Sequence, residues 1–174
     1  MAETNTMKDF LNQVQNGDSP ARYAALKVAA QYGPSSILPL ADIMGGPDPT
    51  ASRAAEECLK RIVHHEARPG NSRKPAVAAL EQTLTNNRPR KVRSLGLHLL
   101  GFLGDRSSVK AIVPVLSEPD LRENARMALE QIPDPAAERA LSDAMRTASA
   151  EFKPGLQQSI HHRHQNSRDI GLPG

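Results

Sequence analysis

The chain contains no tryptophan, only two tyrosines and three phenylalanines, and a single cysteine among its 174 residues. With Phe10, Tyr23, Tyr32, Phe102 and Phe152 as its only rings, a core must be built from Ala, Leu, Val and Ile. Such side chains suit closely packed helices. The lone Cys58 excludes an internal disulfide and fits a reducing compartment. No stretch approaches the roughly 18 apolar residues of a membrane span. The opening MAETNTMKDF has no basic region followed by an apolar run. A cytoplasmic protein that does not enter the membrane is therefore expected. Charge of one sign is missing as well. The 22 basic residues face 19 acidic ones, a net +3 that does not by itself imply a polyanionic partner. There is no Gly-rich phosphate loop, no Cys pair at metal spacing and no Gly-x-Ser-x-Gly elbow. No catalytic residue, metal ligand or cofactor is expected, and the chain reads as a non-enzyme.

What the chain does have is a repeat. VRSLGLHLLGFLGD (Val92 to Asp105) overlies LRENARMALEQIPD (Leu121 to Asp134), 29 residues later, without a gap. Counting from Arg93, the apolar or small positions are Gly96, Leu99 and Leu100, and Gly104 closes the segment. Arg122 gives Ala125, Ala128, Leu129 and Pro133, and Arg22 gives Ala25, Val28, Ala29 and Gly33. Ser52 gives Ala55, Cys58 and Leu59, and Lys153 gives the poorest match, Leu156, Ser159 and Ile160. The steps between origins are 30, 41, 29 and 31 residues. Offsets of three, six and seven fall on one side of a 3.6-residue helix, so each unit carries one helix with a single apolar stripe.

Second periodic segments lie between the stripes: Ser35 to Met44, Lys74 to Leu84, Ser107 to Leu116 and Ala136 to Met145. Met7 to Gln15 supplies the first helix of the first pair. Helices this short need a neighbour to be stable. Gly33, Gly104 and Pro133 are expected to end helices, with Ser35, Ser107, Asp105 and Asp134 as candidate caps for the helix that follows. Pro39 and Pro114 fall inside helical segments and are expected to kink them. Two antiparallel helices per unit, stacked unit on unit, make an all-α solenoid of about five pairs. One domain is expected over residues 1–164, with a disordered tail over 165–174.

The Val-Arg start, the small and Leu positions, the Leu-Gly-Asp stop and the Ala- and Leu-rich segment after it resemble the short bacterial HEAT repeats of phycobilisome-lyase type. The resemblance covers about Ala21 to Met145. It implies a HEAT-like superhelix, a fold that serves mostly as a binding scaffold and hosts many functions. Two enzymes on related scaffolds are tested by their requirements. Di-iron deoxyhypusine hydroxylases use several His-Glu pairs, and this chain has one, His65-Glu66. HEAT-like DNA glycosylases use Trp residues around the lesion, and this chain has none.

In HEAT-type stacks, positions one, five and eight from each origin turn to the concave side. The candidate protein-binding row is therefore Tyr23, Lys27, Arg53, Glu57, Lys60, His98, Glu123, Met127 and Glu130. Its mixed charge suits a protein partner better than a polyanion. The step of 41 residues contains an insertion, His64 to Lys74, that is a second candidate contact. The alternative function is weak nucleic-acid binding through Arg68, Arg73, Lys74, Arg88, Arg90 and Lys91, two clusters at opposite ends of one short helix. A bilin-lyase-like or metal-dependent enzyme ranks below both. His161, His162 and His164 read as a basic, fraying last helix rather than a metal site. An imperfectly capped last repeat is compatible with a homo-oligomer.

Overall fold

The computed structural model describes residues 6–169, with side chains for 6–165. Among them there is no strand. The helices are α1 (Met7–Asn16), α2 (Ser19–Val28), α3 (Ile37–Gly45), α4 (Pro49–Glu66), α5 (Lys74–Gln82), α6 (Arg90–Leu103), α7 (Arg106–Ile112), α8 (Arg122–Gln131), α9 (Pro135–Thr147) and α10 (Lys153–Asp169). The five repeat origins fall on the even-numbered helices: Arg22 on α2, Ser52 on α4, Arg93 on α6, Arg122 on α8 and Lys153 on α10. Each repeat origin thus lies on its own helix, with a further helix before it in the chain.

The chain divides into two compact units, one through Leu95 and one from Gly96, with the division inside α6. In the first unit α1 pairs with α2 and α3 with α4, while α1 packs on α3, α3 on α5, and α2 on α4. In the second unit α7 pairs with α8 and α9 with α10, while α7 packs on α9 and α8 on α10. Short connections between packed neighbours make the paired helices antiparallel. First helices stacked on first helices, and second on second, is the arrangement of an α-solenoid. The expected tail is helical as far as Asp169, and its last five residues, 170–174, lie outside the described residues.

The stripe positions are the core. Ala25, Ala29, Ala55, Cys58 and Leu59 are buried in the first unit, and Leu99, Leu100, Ala125, Ala128, Leu129 and Leu156 in the second. Rings are used sparingly. Phe10 is fully buried and stacks on Tyr32 with centroids 4.1 Å apart.

Polar groups at the repeat origins close helix ends. Arg22 on α2 donates from Nε to the Val14 carbonyl and from Nη2 to the Gln15 carbonyl, at 3.1 and 2.8 Å, in the last turn of α1. Ser52 on α4 donates from Oγ to the Met44 carbonyl of α3 at 2.7 Å. Arg93 on α6, itself buried, donates from Nε to the Leu84 carbonyl beyond α5 at 3.0 Å. In the first two pairs the origin residue thus reaches back to carbonyls that the preceding helix leaves without an intrahelical donor, and in the third to the turn just beyond it.

Helix punctuation departs from the sequence reading in several places. Gly33 does end a helical segment, with φ +58°, a conformation that favours glycine. Gly104 ends α6 where a Cβ would collide with the Leu100 carbonyl and approach Ser108 Oγ to 2.9 Å. Asp105 and Asp134 cap α7 and α9 as expected. Ser35 and Ser107 do not cap: their hydroxyls donate to the Tyr32 carbonyl and to Asp105 Oδ1. Pro39 kinks nothing, because α3 begins only at Ile37 and the first turn needs no amide donor. Pro114 ends regular α-helix: α7 stops at Ile112 and continues to Ser117 as a 3-10 helix. α4 runs through His64 and His65 to Glu66, which leaves 67–73 as the inserted loop, with Lys74 already in α5.

Arg93→Met keeps an apolar stem and removes the donors. It is expected to lower stability by about 1–3 kcal/mol in urea unfolding. Arg53→Met, on the exposed face of α4, should change it by less than about 0.5 kcal/mol.

Candidate functional site

On the first unit the candidate row occupies α2 and α4, which pack on each other. Tyr23 is 61% exposed, a large value for an aromatic ring. One turn along α2, Lys27 Nζ sits 4.5 Å from the centre of that ring, a cation–π contact that holds the tyrosine in place. Arg53 and Glu57 are exposed on α4. Lys60 bridges Glu56 and Glu57 at 2.7 and 3.1 Å, and those hydrogen bonds outweigh burial to raise its pKa. The row on this unit is thus an anchored aromatic on α2 and exposed charges of both signs on α4. Cys58 lies beneath it, buried; burial pushes its thiol up to about 12, so it is a core residue rather than a nucleophile.

On the second unit the same register yields a different surface. His98 is exposed on α6, and Met127 is 50% exposed on α8. The carboxylates are tied into the fold. Glu123 accepts from Arg126 Nε at 2.8 Å. Glu130 accepts from Arg126 Nη1 at 3.2 Å and from the Ser159 hydroxyl, and lies 3.0 Å from His162 Nδ1. Arg126 also donates to Ser159, so α8 and α10 share one polar cluster. Sequence reasoning took Glu130 as a surface residue and missed Arg126 and Ser159. The signal was present: Ser159 is a polar residue on the apolar stripe, and it is fully buried.

The last helix is held by the same means. Arg163 donates to the carbonyls of Leu129, Glu130, Ile132 and Asp134, which closes the end of α8. His164 Nε2 lies 2.8 Å from Glu138 Oε1 on α9. The polar face that reads as a fraying end is an anchored one.

The candidate nucleic-acid residues are partly absorbed by the fold. Arg88 pairs with Asp42 at 2.7 Å, Arg73 donates to the Ala67 carbonyl, and Lys91 donates to the Gly46 carbonyl and Ser52 Oγ. Arg68 and Lys74 are exposed. His65 Nδ1 lies 3.5 Å from Glu66, whose side chain is buried. Among the described residues no three His, Cys, Asp or Glu side chains converge as a metal-binding group.

No protein-family model matches the sequence, and no curated protein is significantly similar to it. Among solved structures the chain is similar to an engineered protein, 16% identical with a TM-score of 0.48 over 95% of this chain and 81% of that one. It is also similar to an armadillo repeat protein computationally designed for modular peptide recognition: 13% identity, TM-score 0.34, 90% of this chain and 99% of that one. A second designed armadillo repeat protein is 14% identical with a TM-score of 0.34, covering 91% and 100% of the two chains. Likenesses at this level are weak, and the solenoid assignment rests on the stacking inside each unit. No helix among the described residues is long and apolar enough to cross a membrane.

The Glu130 cluster has a testable acid dependence. Burial by itself raises the Glu130 carboxyl, but hydrogen bonds from Ser159 and His162, with the nearby positive charge of Arg126, outweigh it and hold the group below 4.5. A carboxylate lowered on folding contributes stability that is present above its unfolded value and lost as pH falls through the folded one. Glu130→Gln should therefore lower Tm by roughly 2–4 °C at neutral pH. The difference from wild type should shrink as the pH falls below 4.5 and through the lowered folded value, measured by thermal melts at a series of acid pH values.

Proposed function

We propose that the chain is a non-enzymatic protein-binding scaffold whose first unit offers the α2 and α4 row to a folded or extended protein partner. The observation that carries this reading is Tyr23: a large ring, exposed and braced by Lys27, on a helix packed against α4, which exposes the opposite charges of Arg53 and Glu57. Tyr and Arg are the residue types enriched at interface centres, and a ring braced before contact loses little side-chain freedom on binding. The designed armadillo protein described as made for peptide recognition is in keeping with such a use of stacked helix pairs.

His98, Glu123 and Met127 form a second, separate candidate patch on the second unit, and Glu130 acts there by positioning α10. The Val-Arg and Leu-Gly-Asp pattern supports placing the repeats with the short bacterial HEAT units, and a single buried thiol is in keeping with a cytoplasmic setting.

The test compares proteins captured from a lysate by the wild-type chain and by a Tyr23→Ala, Arg53→Glu, Glu57→Arg variant. The variant is expected to keep its helical circular dichroism and its Tm within about 3 °C. It should lose at least about tenfold of the specifically captured partner, a change of some 1.4 kcal/mol. Equal capture by both proteins overturns the assignment of the row.

A further inference from the structure

In the second unit, α7 with its 3-10 extension and α9 wall an open groove of about 870 Å³. One wall is Val109, Val113 and Leu116, and the other includes Ala140 and Ala144, one helical turn apart. Val113 is 41% exposed, an unusual state for a valine next to so much apolar surface. Phe152 also lines the groove and carries the Arg122 guanidinium 5.0 Å from its ring. The alanines contribute no side chain beyond Cβ, which leaves space between the walls for side chains from elsewhere. α9 is 13 residues long, about 20 Å, or the length of a helix of three to four turns.

The charged residues at the groove select among occupants. Lys110 and Arg139 line it and are exposed, and neither is ion-paired among the described residues. The lining carboxylate Asp143 lies 3.6 Å from Arg146, which offsets its charge. The groove is therefore apolar inside and positive along its edges.

We propose that this groove takes an acidic amphipathic helix of another protein, with aliphatic side chains between α7 and α9 and Asp or Glu toward Lys110 and Arg139. An apolar helix face in a groove supplies the affinity, and complementary charge fixes its orientation and excludes basic partners. This site shares no residue with the α2 and α4 row and does not depend on that row being an interface.

The test uses the full chain and a fluorescein-labelled helical peptide of about four turns, carrying Leu at i, i+3 or i+4, and i+7 with Glu on both flanks. A matched peptide replaces each Glu by Lys. Fluorescence anisotropy at about 50 mM salt, where surface charge is weakly screened, should show saturable binding of the Glu peptide and at least tenfold weaker binding of the Lys peptide. Lys110→Glu with Arg139→Glu should reverse the preference between the two peptides. Ala140→Trp should abolish binding by filling the groove, with unchanged circular dichroism showing that each variant is folded. No saturable binding of the Glu peptide overturns the proposal, as does equal binding of both peptides or undiminished binding in both variants. Sedimentation of the chain alone is a further arm. A dimer lost on Ala140→Trp would make the occupant a second copy of this chain and would also overturn it.

Discussion

A helix of about ten residues cannot be left with open ends inside a stack. Its last four carbonyls have no intrahelical donor, and the next layer of protein excludes the water that would otherwise satisfy them. Here the donor comes from the following helix, at the residue that starts each repeat: Arg22 to the end of α1, Ser52 to the end of α3, Arg93 beyond the end of α5. The bond fixes how far each second helix can slide along its partner. Once that register is set, most of the residues at offsets three, six and seven are buried, among them Ala25, Ala55, Leu59, Leu100, Ala125, Leu129 and Leu156. Packing and capping therefore specify one register together, the kind of agreement between levels that gives a unique fold.

The rule changes form along the chain, and the changes follow the chemistry of the origin residue. Arg122 lies over Phe152 and 3.8 Å from Glu151, so it serves the junction with the next pair. Lys153 begins α10 itself. The end of α8 is then closed by Arg163, ten residues further on, through four carbonyls. A terminal helix with little apolar face can still be anchored when its polar side chains satisfy a neighbour's unpaired groups, since each buried carbonyl left unmet would cost about 1–3 kcal/mol.

Periodicity made the layering legible, because an apolar stripe at helical spacing has only one way to be buried. The same reading could not say which polar positions would face solvent. Tyr23 and Met127 occupy offsets one and five and are exposed, yet Glu130, also taken for the surface, is drawn into the fold by Arg126, Ser159 and His162. That outcome depends on α10 supplying Ser159 where the other repeats supply Val28, Cys58, Leu99 and Ala128, a contact between segments 29 residues apart. Local punctuation failed for a related reason. A proline such as Pro39 or Pro114 disrupts a helix only if its amide would have been used, and that depends on where the helix starts. The His64 to Lys74 insertion is read as a loop because the repeat step there is 41 residues instead of about 30; α4 nonetheless continues to Glu66, whose side chain is buried.

The two units also show how one scaffold acquires unlike surfaces. At the edge of α3 in the first unit, the depression lined by Asp42, Gln82 and Arg88 is polar, and the Arg88–Asp42 ion pair at 2.7 Å ties its residues together. The groove between α7 and α9 in the second unit is lined instead by Val109, Val113, Ala140 and Ala144. Nothing in the backbone rule requires this difference, since both pairs of helices are stacked by the same kind of seam. A side chain facing away from the seam is free of the packing constraint, so its chemistry is set by what it meets outside. An apolar lining with positive edges is the pattern expected of a surface covered by something with an apolar face and negative flanks.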